Sequence, residues 1–263
     1  MTGRYAAMFN RLRAHNEGAF GAFVMLGDPD LPTSAAILTA LAEAGANMLE
    51  VGIPFSDPVA DGPVIQAAAD RALKRGVTPP DCLGLLAEFR AHHPDVPVGI
   101  LTYANLVVAA GREAFYRATA AAGVDSVLVA DVPSLEAHPF VAAAAAAGVD
   151  PVLIAAPNTP EPTLARIAQL GRGYTYCVAR TGVTGADRAM ELDHGQLFAT
   201  LARHGAAPPI LGFGISTPAH VQTALTAGAA GVISGSAIVK LVESGDLDAV
   251  RSFVAEMKAA TRR

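Results

Sequence analysis

Apolar runs of strand length alternate along the chain with longer, alanine-rich segments whose apolar positions recur at helical spacing. An amphipathic helix is predicted first, within residues 1–18. The predicted strands cover residues 20–26, 47–53, 98–103, 126–130, 151–156, 174–179, 210–214 and 231–234. The predicted helices between them cover residues 33–44, 63–75, 81–92, 112–122, 135–147, 162–170, 192–203 and 218–227. Eight strands in strict alternation with helices, over 263 residues, predict a single (β/α)8 TIM barrel with parallel strands and an N-terminal helix.

A repeated step at the ends of four helices supports the barrel. An Ala-Gly pair stands just before a strand at Gly45, Gly123, Gly148 and Gly228, where a left-handed glycine lets the chain turn back. An open doubly wound sheet is the alternative, but it usually carries a glycine-rich fingerprint after its first strand. Residues 27–30 read Gly-Asp-Pro-Asp instead. No composition shift marks a linker, so one catalytic domain is predicted over residues 1–263.

Composition narrows the class of protein. The chain is 52% hydrophobic and 16% charged, with 19 basic and 24 acidic residues and a net charge of −5. The absence of a basic run argues against nucleic-acid binding. No signal peptide and no membrane span is predicted, so we expect a soluble, cytoplasmic protein. Cys82 and Cys177 fit neither a disulfide framework nor a metal site, and both are expected to be buried.

One carboxylate stands out among the predicted strands. Glu50 lies inside a run that is expected to be buried on both faces. Burial of an ionised carboxylate costs several kcal/mol unless it is paired or its pKa rises, and a pKa near neutrality suits a general acid or base. The alternative is a structural glutamate that bonds to a neighbouring strand or to a tyrosine lining the barrel.

A second candidate lies in the loop of residues 54–63. Its prolines and glycine make it too elaborate for a plain turn, and such a loop can act as a lid. Asp61 is the candidate for chemistry, while capping of the following helix is the alternative for Asp61 and the favoured role for Asp57. Asp28 stands directly before a proline and Asp131 two residues before one, so turn-forming and supporting roles are predicted for both.

Three glycine-containing loops follow the last three predicted strands, at residues 182–185, 212–218 and 234–237. Loops after the seventh and eighth strands of such barrels commonly bind phosphate through backbone N–H groups. The Ser236 hydroxyl is suited to assist, and Thr217 is predicted to cap a helix. Together these loops predict a phosphorylated substrate.

Two common barrel mechanisms are disfavoured. The only lysines, Lys74, Lys240 and Lys258, fall in helical segments, so none is placed to form a Schiff base. The seven histidines lie on helices or connections and form no ligand set at the strand ends. Cofactor-free acid–base chemistry on a phosphorylated small molecule remains.

Residues 49–58, which read Leu-Glu-Val-Gly-Ile-Pro-Phe-Ser-Asp-Pro, and residues 60–63, Ala-Asp-Gly-Pro, resemble the signature of the tryptophan synthase α subunit family. The resemblance covers nearly the whole chain, since further matches follow in order at residues 26–29, 103–105, 126–133, 182–185, 212–215 and 235–237. It implies retro-aldol cleavage of indole-3-glycerol phosphate to indole and glyceraldehyde 3-phosphate, a lyase reaction of tryptophan biosynthesis.

The resemblance also implies roles for individual residues. Glu50 would be the acid–base residue, Asp61 would hold the indole N–H, and Tyr176 would lie near the glutamate. Thr184 would close onto Asp61. An apolar slot for indole would be lined by Phe23, Tyr103, Leu128 and Ile233, and the phosphate would rest on Gly185, Phe213, Gly214, Gly235 and Ser236.

Departures from the family pattern are peripheral. Met25 stands where threonine is frequent, and Asp187 and Arg188 differ after the loop that carries Thr184. The family works as an α2β2 complex with a β subunit that carries pyridoxal phosphate and receives indole. Asn105 and residues 54–61 match the contact region, and no cofactor is expected on this chain.

Two other functions stay open at this point. A sugar-phosphate isomerase would use Asp28 as its catalytic acid, but it would need no indole slot and would leave the loop of residues 55–61 unexplained. A non-catalytic subunit that binds phosphate ligands would bind without turnover.

Overall fold

In the computed structural model, which describes residues 3–178 and 194–262, eight parallel strands close into a barrel in sequence order. Each strand pairs with its sequence neighbours, and β1 also pairs with β8. The strands are β1 Ala19–Met25, β2 Met48–Gly52, β3 Val98–Thr102, β4 Ser126–Val129, β5 Asp150–Ala155, β6 Thr175–Val178, β7 Pro209–Gly212 and β8 Gly231–Ser234. The predicted TIM barrel is confirmed.

Helices surround the barrel, and a first helix precedes it. They are α1 Arg4–Ala14, α2 Leu31–Glu43, α3 Pro63–Lys74, α4 Pro79–His92, α5 Ala104–Ala109, α6 Arg112–Ala121, α7 His138–Ala147, α8 Glu161–Leu170, α9 Gly195–Arg203, α10 Pro218–Thr226, α11 Ser236–Glu243 and α12 Leu247–Ala259. Helices α5, α11 and α12 lie outside the predicted segments. Helix α5 is too short to show a period, and the simple strand–helix alternation ends at β8.

The boundary of one predicted strand differs for a local reason. The seventh strand was predicted to run to residue 214, but it ends at Gly212 because Phe213 and Gly214 take φ of 64° and 77°. Those values are incompatible with a strand.

The glycines of the four repeated Ala-Gly pairs have φ between 75° and 108°, so the predicted left-handed helix ends are confirmed.

The core has two layers. One lies between the barrel and the outer helices, where both cysteines are buried and free. The other fills the barrel interior, and α1 closes one end of it with Tyr5, Met8, Phe9 and Leu12. Across the described ranges, none of the helices combines the length and the apolarity needed to cross a bilayer.

A glycine at the closing seam of the barrel gives a stability test. Gly231 pairs with Ala19 where β8 meets β1, and a Cβ there would overlap the Ala19 carbonyl oxygen. We expect Gly231→Ala to lower the free energy of unfolding in urea by about 1–3 kcal/mol, because backbone must move to admit the methyl group.

The matched control for that substitution is Gly84→Ala. Gly84 is exposed in the middle of α4 and nothing lies within 4 Å of an added Cβ. This substitution should raise the free energy of unfolding by about 0.5–1 kcal/mol, because alanine loses less backbone entropy in a helix. Equal effects at the two positions would show that the seam tolerates a side chain.

Candidate active site

A cavity opens where the carboxyl ends of the strands meet their following loops. This is the end of a (β/α)8 barrel at which active sites are found. Its lining joins two acids, an apolar wall and two glycine-containing turns, formed by Phe23, Glu50, Asp61, Ile65, Leu101, Tyr176, Phe213, Gly214, Ile215, Ser216, Ile233, Gly235, Ser236 and Ala237.

Glu50 lies in the middle of β2 and is 1% exposed. Its carboxylate accepts a 2.8 Å hydrogen bond from the Tyr174 hydroxyl. Burial raises the pKa of Glu50 from 4.5 to about 7, the Tyr174 bond lowers it in part, and the nearby Asp61 raises it further. The structure therefore has features of both interpretations of Glu50. Its carboxylate bonds to a tyrosine inside the barrel, and it also lines the cavity.

Space for two further hydroxyls comes from the strand next to Glu50. Gly99 pairs with Glu50 across β2 and β3, and a Cβ on Gly99 would meet the Ser126 hydroxyl at 2.6 Å and the Tyr5 hydroxyl at 2.9 Å, both too close for a side chain. The Tyr5 hydroxyl bonds to the Ser126 hydroxyl at 2.9 Å. A small group of buried hydroxyls therefore lies beneath the Glu50 carboxylate.

Asp61 lies in the loop before α3 and is 6% exposed. Burial raises the pKa of its carboxyl from 3.8 to about 6. The buried Tyr103 hydroxyl lies near enough to offset part of this increase, although it makes no hydrogen bond of good geometry within the described residues. Two carboxyls with raised pKa values thus face one cavity, which is a common mark of acid–base sites.

Neither Asp57 nor Asp61 is the N-cap of α3, so the predicted N-cap role is wrong for both. The N-cap is Gly62. Asp57 is exposed and accepts a hydrogen bond from the Ser56 hydroxyl instead.

The apolar wall agrees in part with the predicted slot. Phe23, Tyr176 and Ile233 line the cavity, whereas Tyr103 and Leu128 are buried outside its lining. The sequence missed Ile65 and Leu101, which line it as well. Their apolar periodicity matches that of any core residue, so only the closed barrel shows that they face the cavity.

The two glycine-containing turns form one end of the cavity. Phe213 and Gly214 both have positive φ, which costs a non-glycine residue such as Phe213 about 1 kcal/mol. Gly235 is the N-cap of α11, and Ser236 is its first residue. Backbone N–H groups at a helix N-terminus favour anions. Thr184 and Gly185 lie outside the described residues.

The remaining predicted acids have supporting contacts. The Asp28 carboxylate pairs with Arg71, and the Asp131 carboxylate accepts the Ala104 backbone N–H at 2.8 Å. Thr217 caps α10 as predicted. Among the described residues, no group of three metal-ligating side chains is close enough to hold an ion.

Two buried acids, an apolar wall and two glycine-containing turns at one cavity define the class of a (β/α)8-barrel enzyme whose site suits acid–base chemistry on a phosphorylated, partly apolar substrate. The family model of the tryptophan synthase alpha chain matches residues 9–262. The chain belongs to this family, and it is a lyase that cleaves indole-3-glycerol phosphate to indole and glyceraldehyde 3-phosphate in tryptophan biosynthesis. The isomerase and non-catalytic alternatives are wrong.

Similar proteins agree along the full length of the chain. The tryptophan synthase alpha chain of Shewanella amazonensis is 53% identical over 264 residues, which covers 98% of this chain and 99% of the relative. That of Escherichia coli is 52% identical, with 98% and 99% covered. The solved structure of Mycobacterium tuberculosis tryptophan synthase matches with a TM-score of 0.92 and 32% identity, with 100% of both chains covered.

Proposed function

We propose that Glu50 carries the proton that the cleavage must move. The protonated carboxyl gives its proton to C3 of the indole ring, which weakens the bond to the side-chain carbon. The carboxylate so formed then takes the proton of the hydroxyl on that carbon as the bond breaks. Indole and an aldehyde leave, and Glu50 is protonated again. The observation that carries this role is a buried carboxyl with a pKa of about 7 in the cavity wall.

Asp61 has the complementary role in this proposal. Protonation of C3 places a positive charge on the ring nitrogen, and an ionised Asp61 stabilises it by accepting the N–H. Since the pKa of Asp61 is about 6 and that of Glu50 about 7, Asp61 ionises first. The pair therefore holds one proton near neutral pH, which is the state that this reaction needs.

The rest of the cavity would hold the two ends of the substrate. Phe23, Tyr176 and Ile233 offer an apolar surface to the indole ring. Phe213, Gly214, Gly235 and Ser236 offer backbone and hydroxyl donors to the phosphate. Leu128 belongs to the same apolar cluster of the barrel interior as the side chains offered to the indole ring, and Thr184 and Gly185 keep their predicted roles in substrate binding.

The direct test is release of indole from indole-3-glycerol phosphate by the purified chain, with and without a tryptophan synthase β subunit. We expect turnover by the chain alone and faster turnover with the partner. Absence of indole in both conditions would contradict the proposed site.

Tyr174 offers a test of the proton assignment. Because its hydrogen bond lowers the pKa of Glu50, Tyr174→Phe should raise that pKa further. The alkaline limb of the kcat/KM profile, at about pH 7 in the wild type, should move upward by roughly one unit, while the acid limb set by Asp61 stays in place.

The control is Tyr116→Phe, which removes a hydroxyl from another fully buried tyrosine, on α6. Its pH profile should match that of the wild type. An unmoved alkaline limb in Tyr174→Phe would assign that limb to a group other than Glu50.

The chain's partner is a tryptophan synthase β subunit, and its substrate is indole-3-glycerol phosphate. We propose an α2β2 assembly in which pyridoxal phosphate is bound by the β subunit only. Asn105 and residues 54–61 are the proposed contact region. Organisation as one catalytic domain over residues 1–263 and a cytoplasmic location stay predictions from the sequence.

A further inference from the structure

An ion-pair group outside the cavity joins three elements of the barrel. Asp28 follows β1, Arg71 lies on α3, and Glu243 is the last residue of α11. The Arg71 guanidinium contacts the Asp28 carboxylate through Nε at 2.7 Å and Nη2 at 2.8 Å. Its third nitrogen, Nη1, contacts the Glu243 carboxylate at 3.0 Å.

The two arms of this group differ in strength. The Asp28 side chain is 2% exposed, so its forked, charge-assisted contact with Arg71 is shielded from solvent. The Glu243 side chain is 59% exposed, and an exposed pair contributes little by itself. Arg71 is therefore firmly fixed to β1 and extends a second, weaker contact to α11.

Each joined element also supplies part of the active site. Strand β1 carries Phe23, α3 follows Asp61 and carries Ile65, and α11 begins at Ser236. Along the helix axes, Arg71 lies about 9 Å beyond Ile65, and Glu243 lies about 10 Å beyond Ser236. Both helices run away from the cavity. An ion pair between them at this distance from the cavity therefore fixes the angle between the two helix axes.

We propose that Arg71 is a positioning residue that sets the spacing between the ring-binding end of the site, on β1 and α3, and the phosphate-binding end, on α11. This inference rests on the proposed roles of Asp61 and Ser236. Arg71 does not line the cavity, so it acts only through the elements that it joins.

This role has a specific consequence for binding. The substrate must fit both ends at once, and small errors in placement are costly for such a ligand. A ligand that occupies one end needs no fixed spacing. Loss of these ion pairs should therefore weaken binding of the whole substrate. Binding of its two fragments, indole and glycerol 3-phosphate, should stay as in the wild type.

Removal of Arg71 alone would leave the buried Asp28 carboxylate unpaired and threatens folding. The main variant is therefore the double substitution Asp28→Asn with Arg71→Met, which removes one charge of each sign. We expect its KM for indole-3-glycerol phosphate to rise about 10-fold, with kcat/KM falling at least as much. The dissociation constants of indole and of glycerol 3-phosphate should each stay within about 2-fold of the wild type.

Lys74→Met is the matched control. Lys74 lies on the same helix in an exposed pair with Asp70, and its loss should leave all three ligands unaffected. Glu243→Gln cuts only the exposed arm and should raise KM about 2-fold to 3-fold with an unchanged melting temperature. It keeps the proposal testable if the double variant does not fold.

Two results would overturn the proposal. One is an unchanged KM in both Glu243→Gln and the double variant. If the double variant does not fold, an unchanged KM in Glu243→Gln is sufficient. The other is a parallel loss of affinity for both fragments, which would mean that the ion pairs maintain the two ends themselves rather than their spacing. Failure of the proposed catalytic roles would appear separately, as wild-type activity that survives substitution of Glu50 or Asp61.

Discussion

Glu50→Gln is expected to lower kcat for indole release by about 10²–10⁴-fold, the range of positioned proton transfer. The amide matches the carboxyl in size and can still accept the Tyr174 hydroxyl, so the side chain should keep its place. It can neither give a proton to C3 nor take one from the hydroxyl. Because the substrate is held mainly at its two ends, KM should change little. The measurement is steady-state release of indole from indole-3-glycerol phosphate at pH 7.

The same variant should be more stable than the wild type at alkaline pH. The folded-state pKa of Glu50 is raised from 4.5 to about 7, so the folded wild type binds its proton more tightly than the unfolded chain does. The stability linked to this proton is fully present below pH 4.5 and is lost as the pH rises through 7. At about 1.4 kcal/mol per pKa unit, Glu50→Gln should gain roughly 2–3 kcal/mol over the wild type between these limits.

Urea unfolding of the wild type and of Glu50→Gln at pH 5 and pH 8 measures the effect on stability separately from the effect on activity. Lost activity with gained stability at pH 8 would show that a costly buried acid is retained for chemistry. Lost activity together with lost stability would instead identify Glu50 as a structural residue.

Asp61→Asn is expected to lower kcat by about 10²–10³-fold, which is the usual effect of removing one preorganised group that stabilises charge in the transition state. The amide oxygen can still accept the ring N–H, but it carries no charge to offset the cation formed when C3 is protonated. The acid limb of the kcat/KM profile, near pH 6 because of the raised pKa of Asp61, should disappear with it.

Asp57→Asn is the control within the same loop, measured on the chain without its partner. Asp57 is exposed and lies outside the cavity lining, so its substitution should leave kcat and both limbs unchanged. If Asp61→Asn retained the acid limb, another group would have to account for it, and the proposed division of roles between the two acids would fail.

Much of this protein could be predicted from local patterns. Apolar periodicity and length gave the eight strands, and the Ala-Gly steps marked four helix ends, because these signals depend on neighbours within one element. Glu50 stood out since a single acid inside a buried strand conflicts with the cost of burying charge. The loops of residues 212–218 and 234–237 were located because glycine and serine after a strand are visible in the chain itself.

Only the tertiary structure decided which side chains meet. Tyr174 and Glu50 are 124 positions apart, and their contact depends on barrel closure. Arg71 reaches Asp28 and Glu243 across 43 and 172 positions. Periodicity specifies which face of an element is buried, but the partner on that face follows from the packing of distant elements. For that reason the sequence determined the barrel and located Glu50 in a buried strand, while the tertiary structure decided how that side chain is held and which elements Arg71 joins.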